Sequence, residues 1–212
     1  MQSEILAIRT GGSGEEVELK ASRDGDLRIN QFLPPFAMLC AAGEVFAFDM
    51  SGGTAQAPST AAVTTTVEWT IYNADPLKHL ILLSVASVLQ SGTAGLGHCI
   101  MAASAKGTQT AVNSNYSGTV VSCCDGTQKQ PNAFLDNATT IVGGTPTWQV
   151  IAAYDQIASN GVGEGVVAKA KDIAGLFIAP PGGSLCIQPV GETGSSALYD
   201  MQALVAQTRI DT

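Results

Sequence analysis

The chain has 212 residues, of which 45% are hydrophobic and only 13% charged, with a formal net charge of −8. The hydrophobic share excludes a disordered chain. The acidic balance, with ten Lys and Arg in all, argues against a nucleic-acid binder or a protein drawn to an anionic membrane, both of which gather basic residues on one face. So few charges also leave little polar surface for water, which favours burying further surface in an oligomer. A β-sandwich of this length is commonly one unit with ample chain for a core.

Residues 1–15 are small and polar with Gly11, Gly12 and Gly14 together, and read as a flexible arm. No basic region followed by an apolar core is present there, so no secretory signal is expected. Short strands are expected at Val17–Lys20 and Leu27–Asn30 around the turn Arg23-Asp24-Gly25-Asp26. Lys20, Arg23 and Arg28 alternate with Asp24 and Asp26, a solvated mixed-charge segment rather than a basic patch. Gln31–Phe36 is extended, because each proline disfavours helical geometry at the residue before it. Phe32, Leu33 and Phe36 flank Pro34 and Pro35 and form a candidate anchor, packed either on its own domain or on a neighbour. The expected division is an arm and anchor at 1–36 and a single sandwich domain at 37–212.

Gly43–Asp49 alternates as a strand, and Ser51–Ala62 is a loop rich in Gly, Ser, Thr, Ala and Pro. The most informative stretch is Val63–Ser91. Val63, Thr65, Val67, Trp69 and Ile71 alternate with Thr64, Thr66, Glu68, Thr70 and Tyr72, the period of a strand with one buried face. After the turn cluster Asn73-Ala74-Asp75-Pro76, Leu80–Leu89 is apolar on both faces apart from Ser84 and Ser87. Asp75-Pro76 could also start a helix, but the run has no polar stripe at helical spacing, and a strand is the preferred reading. An antiparallel strand apolar on both faces needs cover on both. A second sheet could supply one cover and a neighbouring subunit the other. Leu80, Leu82 and Val88 are therefore candidate interface residues, on a strand that is either central or at a subunit contact.

Gly97–Ala105 and Thr119–Cys123 are further short apolar pieces, while Lys106–Asn115 is polar and Asp125–Asn137 reads as a surface loop. Trp148–Tyr154 reads as a strand, and the glycine-dense Asn160–Gly165 leads into Val166–Lys171. Leu176–Ile178 and Ser184–Ile187 flank Ala179-Pro180-Pro181-Gly182-Gly183 and read as a hairpin, with proline presetting φ and glycine accepting positive φ. Leu198–Ile210 is a long last strand with Tyr199, Met201, Ala203 and Val205 on one face. About ten short strands at irregular spacing point to an all-β, antiparallel β-sandwich, jelly-roll-like.

Chemistry is hard to find. His79 and His98 lack metal-ligand spacing, and no C-x-x-C, H-E-x-x-H, G-x-S-x-G or P-loop occurs. Gly161–Val166 fails the dinucleotide pattern because Val166 stands where the last glycine belongs. The carboxylate groups Asp24/Asp26 and Glu15/Glu16/Glu18 lie in polar glycine-rich segments, without the apolar cleft that separates acid and base pKa values. Five irregularly spaced cysteines suggest reduced thiols and no disulfide framework, with the vicinal Cys123 and Cys124 as turn or packing residues. The expectation is no enzyme, no metal and no cofactor.

The segment Leu176–Ile187 followed by a terminal strand, together with Asp26–Pro35, resembles trimeric β-sandwich virion structural proteins of tailed bacteriophages, of the capsid cement (decoration) or head-fibre type. That resemblance implies a jelly roll, a homotrimer and an N-terminal arm that touches the shell. It implies a protein on the capsid surface of a virion, assembled in the host cytoplasm, whose partners are itself and the major capsid protein or other virion proteins, with no nucleic acid and no membrane. The alternative it allows is a tail or head-fibre receptor-binding protein with recognition on loops 51–62 and 106–137. A major capsid protein is disfavoured by the short chain and the lack of a long-helix pattern.

Overall fold

The computed structural model describes residues 6–7, 17–18, 36–49, 55, 57–60, 63–92, 98–105, 120–126, 130–141, 145–154, 171–191 and 196–210. The chain divides into two compact units, Met1–Pro35 and Phe36–Thr212. In the first, β1 (Leu6–Ala7) pairs antiparallel with β2 (Val17–Glu18). The expected strand at Leu27–Asn30 and the anchor residues Phe32 and Leu33 lie outside the described residues.

The second unit begins with a five-residue helix, α1 (Ala37–Ala41), and continues with β3 (Val45–Asp49), β4 (Thr66–Asn73), β5 (His79–Ser91), β6 (His98–Ala105), β7 (Val120–Ser122), β8 (Ala133–Thr140), β9 (Gln149–Tyr154), β10 (Lys171–Ala179), β11 (Ser184–Val190) and β12 (Leu198–Thr208). They form two five-stranded sheets, β10-β5-β12-β3-β7 and β8-β4-β11-β6-β9, with antiparallel pairing throughout. The connectivity is that of a jelly roll. β3 pairs with β12, β4 with β11, β5 with β10 and β6 with β9, as if one long hairpin had been rolled up. The pairs β12–β5 and β11–β6 close the roll. β7 and β8, between β6 and β9 in the chain, extend one sheet each, beside β3 and β4.

The core lies between the sheets. Phe46, Phe48, Leu80, Leu82, Val85, Phe177, Tyr199, Met201 and Val205 of the first sheet meet Trp69, Ile71, Ile100, Leu135, Leu185 and Ile187 of the second. The alternation of β12 is the expected one, with Tyr199, Met201, Ala203 and Val205 inward. A further cluster, Val67, Ala103, Ala105, Ile141 and Cys186 with Trp148, packs on the second sheet.

The topology corrects the hairpin read at Leu176–Ile187: β10 and β11 belong to different sheets, as do β4 and β5. Both connections are corners where the chain changes sheet, and the corners bond to each other. Asn73 donates its backbone N–H to the Gly183 carbonyl at 2.9 Å, and Gly182 N–H returns to the Asn73 carbonyl at 3.0 Å. Gly182 has φ +73°, a conformation open to glycine at no steric cost. The segment read as a surface loop, Asp125–Asn137, is also corrected: its end forms the first half of β8, whose Leu135 joins the core.

The corner is locked by side-chain amides. The fully buried Asn73 donates Nδ2 to the carbonyls of Lys78 at 2.7 Å and Ala179 at 3.2 Å, and accepts at Oδ1 from Asp75 N–H at 3.2 Å. Gln207 of β12 forms a matched pair of bonds with the backbone of Asn132, at 3.0 Å each, and reaches Asn73 Oδ1 at 3.4 Å. One residue of the first sheet thus holds the start of β8 in the second. Replacing Asn73 by alanine orphans buried carbonyls, each worth about 1–3 kcal/mol when stranded. Asn73→Ala is expected to lower the melting temperature by about 5–12 °C. A calorimetric scan that shows no change would remove Asn73 from this role.

Candidate assembly surface

β5 shows how a strand apolar on both sides is covered. Leu80, Leu82 and Val85 face the interior. Between Leu82 and Ser84 the register with β12 slips by one residue, so Leu83 and Ser84 both fall on the outer face, as a bulge allows. There Leu83 packs with Val45 and Ala206, beneath Phe36, Leu39 and Cys40 of the α1 segment and beside Ile81. The cover over this end is the protein's own helix, not a neighbouring subunit. Phe36 holds a left-handed φ of 68°, a strained state for a bulky side chain of order 1–3 kcal/mol. Its packing in this cluster offsets that strain. Pro34 and Pro35 signalled a chain break, but not the single helical turn after it.

The six candidate interface residues therefore separate. Phe32 and Leu33 lie outside the described residues. Phe36 packs on its own sheet and is partly buried. Leu80 and Leu82 are corrected: each is 0% exposed in the sandwich interior and has no surface to offer a neighbour. Val88 alone is exposed, at 46%.

Val88 belongs to a larger outward patch that the sequence reading missed. On the same outer face stand Leu176 and Ile178 of β10 and Leu198 and Leu204 of β12, all exposed. Ile178 lies across from Ile81, and Leu204 across from Ser84. Leu176 is 77% exposed and lies at the end of a long bulge in β10, just before pairing resumes at Phe177. Gly175 in that bulge has φ +77°, and a Cβ there would come within 3.0 Å of Ile81 Cγ2, so the bulge needs glycine. The outward positions of β12 are Leu198, Asp200, Gln202, Leu204 and Ala206, with a single charge among them. A solvated antiparallel face ordinarily carries polar residues.

The five exposed aliphatic side chains together amount to between two and three whole ones, so covering them contributes roughly 4–7 kcal/mol. Association itself costs on the order of 4–15 kcal/mol. One such contact is weak by itself, and it becomes firm when repeated around a symmetric assembly or supplemented by other surface.

Chemical groups elsewhere are sparse. Among the described residues no three His, Cys, Asp or Glu are placed to hold a metal ion. No described helix is long and apolar enough to cross a membrane. Cys186 is buried and its thiol is pushed up to about 12, which keeps it protonated and unreactive. Asp75 is held below the usual carboxylate range, first by the Leu77 N–H and also by the N–H and charge of Lys78. It accepts from both N–H groups, at 2.9 and 2.8 Å, as the cap of the corner turn. Lys78 pairs with Glu44 at 3.0 Å on the half-exposed rim. Loops 51–62 and 106–137, the alternative recognition sites, lie mostly outside the described residues.

Glu68 on β4 is half-buried, and burial raises its pKa above the ordinary 4.5. A raised folded-state value means that the proton is bound more tightly in the folded chain. The contribution of Glu68 to stability is therefore full below about pH 4.5 and is lost as pH rises through the folded-state value. Glu68→Gln is expected to raise the melting temperature at pH 7.5 and to leave it unchanged at pH 3.5. Equal shifts at both values would contradict this.

The sequence matches no protein-family model and no curated protein. Among solved structures, the X-ray structure of the Triatoma virus empty capsid is similar at 13% identity, over 100% of this chain and 90% of that one, with a TM-score of 0.22. A likeness that loose carries no inference, and the jelly roll rests on the strand pairing alone.

Proposed function

We propose that this chain is a non-enzymatic virion structural protein, a cement or decoration protein of a bacteriophage head that forms a homotrimer and bridges major capsid subunits. It acts on the capsid surface after assembly in the host cytoplasm. The observation that carries this reading is the apolar outer face of the first sheet, centred on Leu176, Ile178, Val88 and Leu204. The resemblance of Leu176–Ile187 and Asp26–Pro35 to phage virion proteins supports it, as does a composition with 13% charged residues. A surface whose single contact is weak suits a protein laid down in many copies on a repeating shell, where each copy engages several neighbours at once.

Sedimentation velocity tests the self-association. The native chain is expected to sediment at three times the chain mass. The double variant Leu176→Asp, Leu204→Asp is expected to sediment as a single chain, with its circular dichroism spectrum and melting temperature kept within a few degrees because both side chains lie outside the core. A native chain that is monomeric up to high micromolar concentration would overturn the trimer. A variant that stays trimeric would overturn the assignment of this face.

A further inference from the structure

Three of the five cysteines, scattered in sequence at 40, 123 and 124, meet at one corner of the fold. Cys40 ends the last turn of α1, where its carbonyl accepts from Gly43 N–H at 2.8 Å. Cys123 follows β7 and donates its backbone N–H to the Val45 carbonyl at 2.9 Å, which fixes it beside the start of β3, five residues after Cys40. Cys124 places Sγ 3.9 Å from the Ala41 carbonyl, so the turn after β7 is wrapped against the end of the helix. Cys124 N–H to Ser122 Oγ at 3.2 Å and Gly126 N–H to the Ser122 carbonyl at 2.9 Å hold that turn in shape. All three thiols are free; Cys123 and Cys124 are exposed and Cys40 is partly buried.

We propose that Cys40 and Cys123 form an oxidisable pair, which a small disulfide of the oxidised-glutathione class converts into a cystine that clips α1 to β7. This inference is independent of the assembly reading. Partial burial raises the Cys123 thiol pKa, and the neighbouring Cys40 raises it further. Geometry also selects the pair: the register that sets Phe46 across from Ser122 sets Cys123 across from Val45, and Val45 packs in one cluster with Cys40, while the sulfur of Cys124 is turned toward the Ala41 carbonyl.

The reaction runs as two exchanges. The Cys123 thiolate attacks one sulfur of the small disulfide; that S–S bond breaks and one small thiolate leaves. The Cys40 thiolate then attacks Cys123 Sγ in the mixed disulfide and expels the second small thiolate. The two protein thiols lose two electrons and two protons, and the small disulfide ends as two thiols. Because the Cys123 thiol is raised, the rate increases between pH 7 and pH 9. The cystine would close a loop of more than eighty residues and pin the helix that covers Ile81 and Leu83.

The test is to equilibrate the full chain with oxidised and reduced glutathione at pH 8, quench in acid and map disulfides by non-reducing peptide mass spectrometry. The expected product is a Cys40–Cys123 link within one chain, retained in Cys124→Ser and lost in Cys40→Ser and in Cys123→Ser. Oxidation is expected to raise the melting temperature of the native chain and of Cys124→Ser by about 5–10 °C. A Cys123–Cys124 or Cys40–Cys124 link, links between chains, or glutathione adducts that never resolve would each overturn the proposal.

Discussion

The fold depends on the buried amide of Asn73, where two sheet-changing corners run side by side. A jelly roll keeps its sheets together only if the chain can cross between them repeatedly, and each crossing strips backbone groups of their ladder partners. Here the β4–β5 and β10–β11 corners satisfy one another. Asn73 bonds the glycine turn through its backbone and the carbonyls of Lys78 and Ala179 through its side chain. Gln207 extends the same network to Asn132 and so to the edge strand β8. Every donor and acceptor in this set is spoken for, which is the condition under which a buried polar network adds rigidity instead of a desolvation penalty. The residues between the sheets can then be largely apolar.

With the interior sealed, the outside of the sandwich shows what remains for other molecules. Residues of the second sheet pack in a cluster with Ile141 and Trp148, while Phe134 and Val150 on that sheet stay exposed. The first is covered by α1 at one end only, leaving Leu176, Ile178, Val88 and Leu204 outward. The strained backbone of Phe36 shows that covering even one end has an energetic cost that packing must offset. Partial cover, few charges and a surface whose contact energy is comparable to the cost of association fit the proposed role in repeated contacts.

The strands themselves were legible in the sequence because half-buried strands alternate, as in Thr66–Asn73 and Leu198–Thr208. Their partners were not. Asn73–Pro76 and Pro180–Gly183 carry turn residues suited equally to a hairpin or a sheet-crossing corner, and only long-range pairing decides between them. The both-face apolarity of Leu80–Leu89 signalled cover on two sides, and the chain itself supplies the outer cover only at the Ile81–Leu83 end. The bulge at Leu83 shifts the facing pattern mid-strand, and the covering helix is a single turn too short to show a period. As a result Leu80 and Leu82 stood as candidate interface residues although they point into the core, while Leu176 and Leu204 passed as ordinary strand residues. The β8 strand was hidden because Asp136, Asn137 and Thr139 are poor apolar markers at a sheet edge. The meeting of Cys40 with Cys123 and Cys124 spans more than eighty residues of chain and has no local signature at all.

An electron cryo-microscopy map of the particle in which this chain is proposed to assemble tests the central claim most directly. The outer face of the first sheet should lie against another subunit, with Leu176 and Leu204 inside that contact and α1 at its border. A map in which this face looks onto open solvent, with the contacts made through the second sheet or the loops, would contradict it.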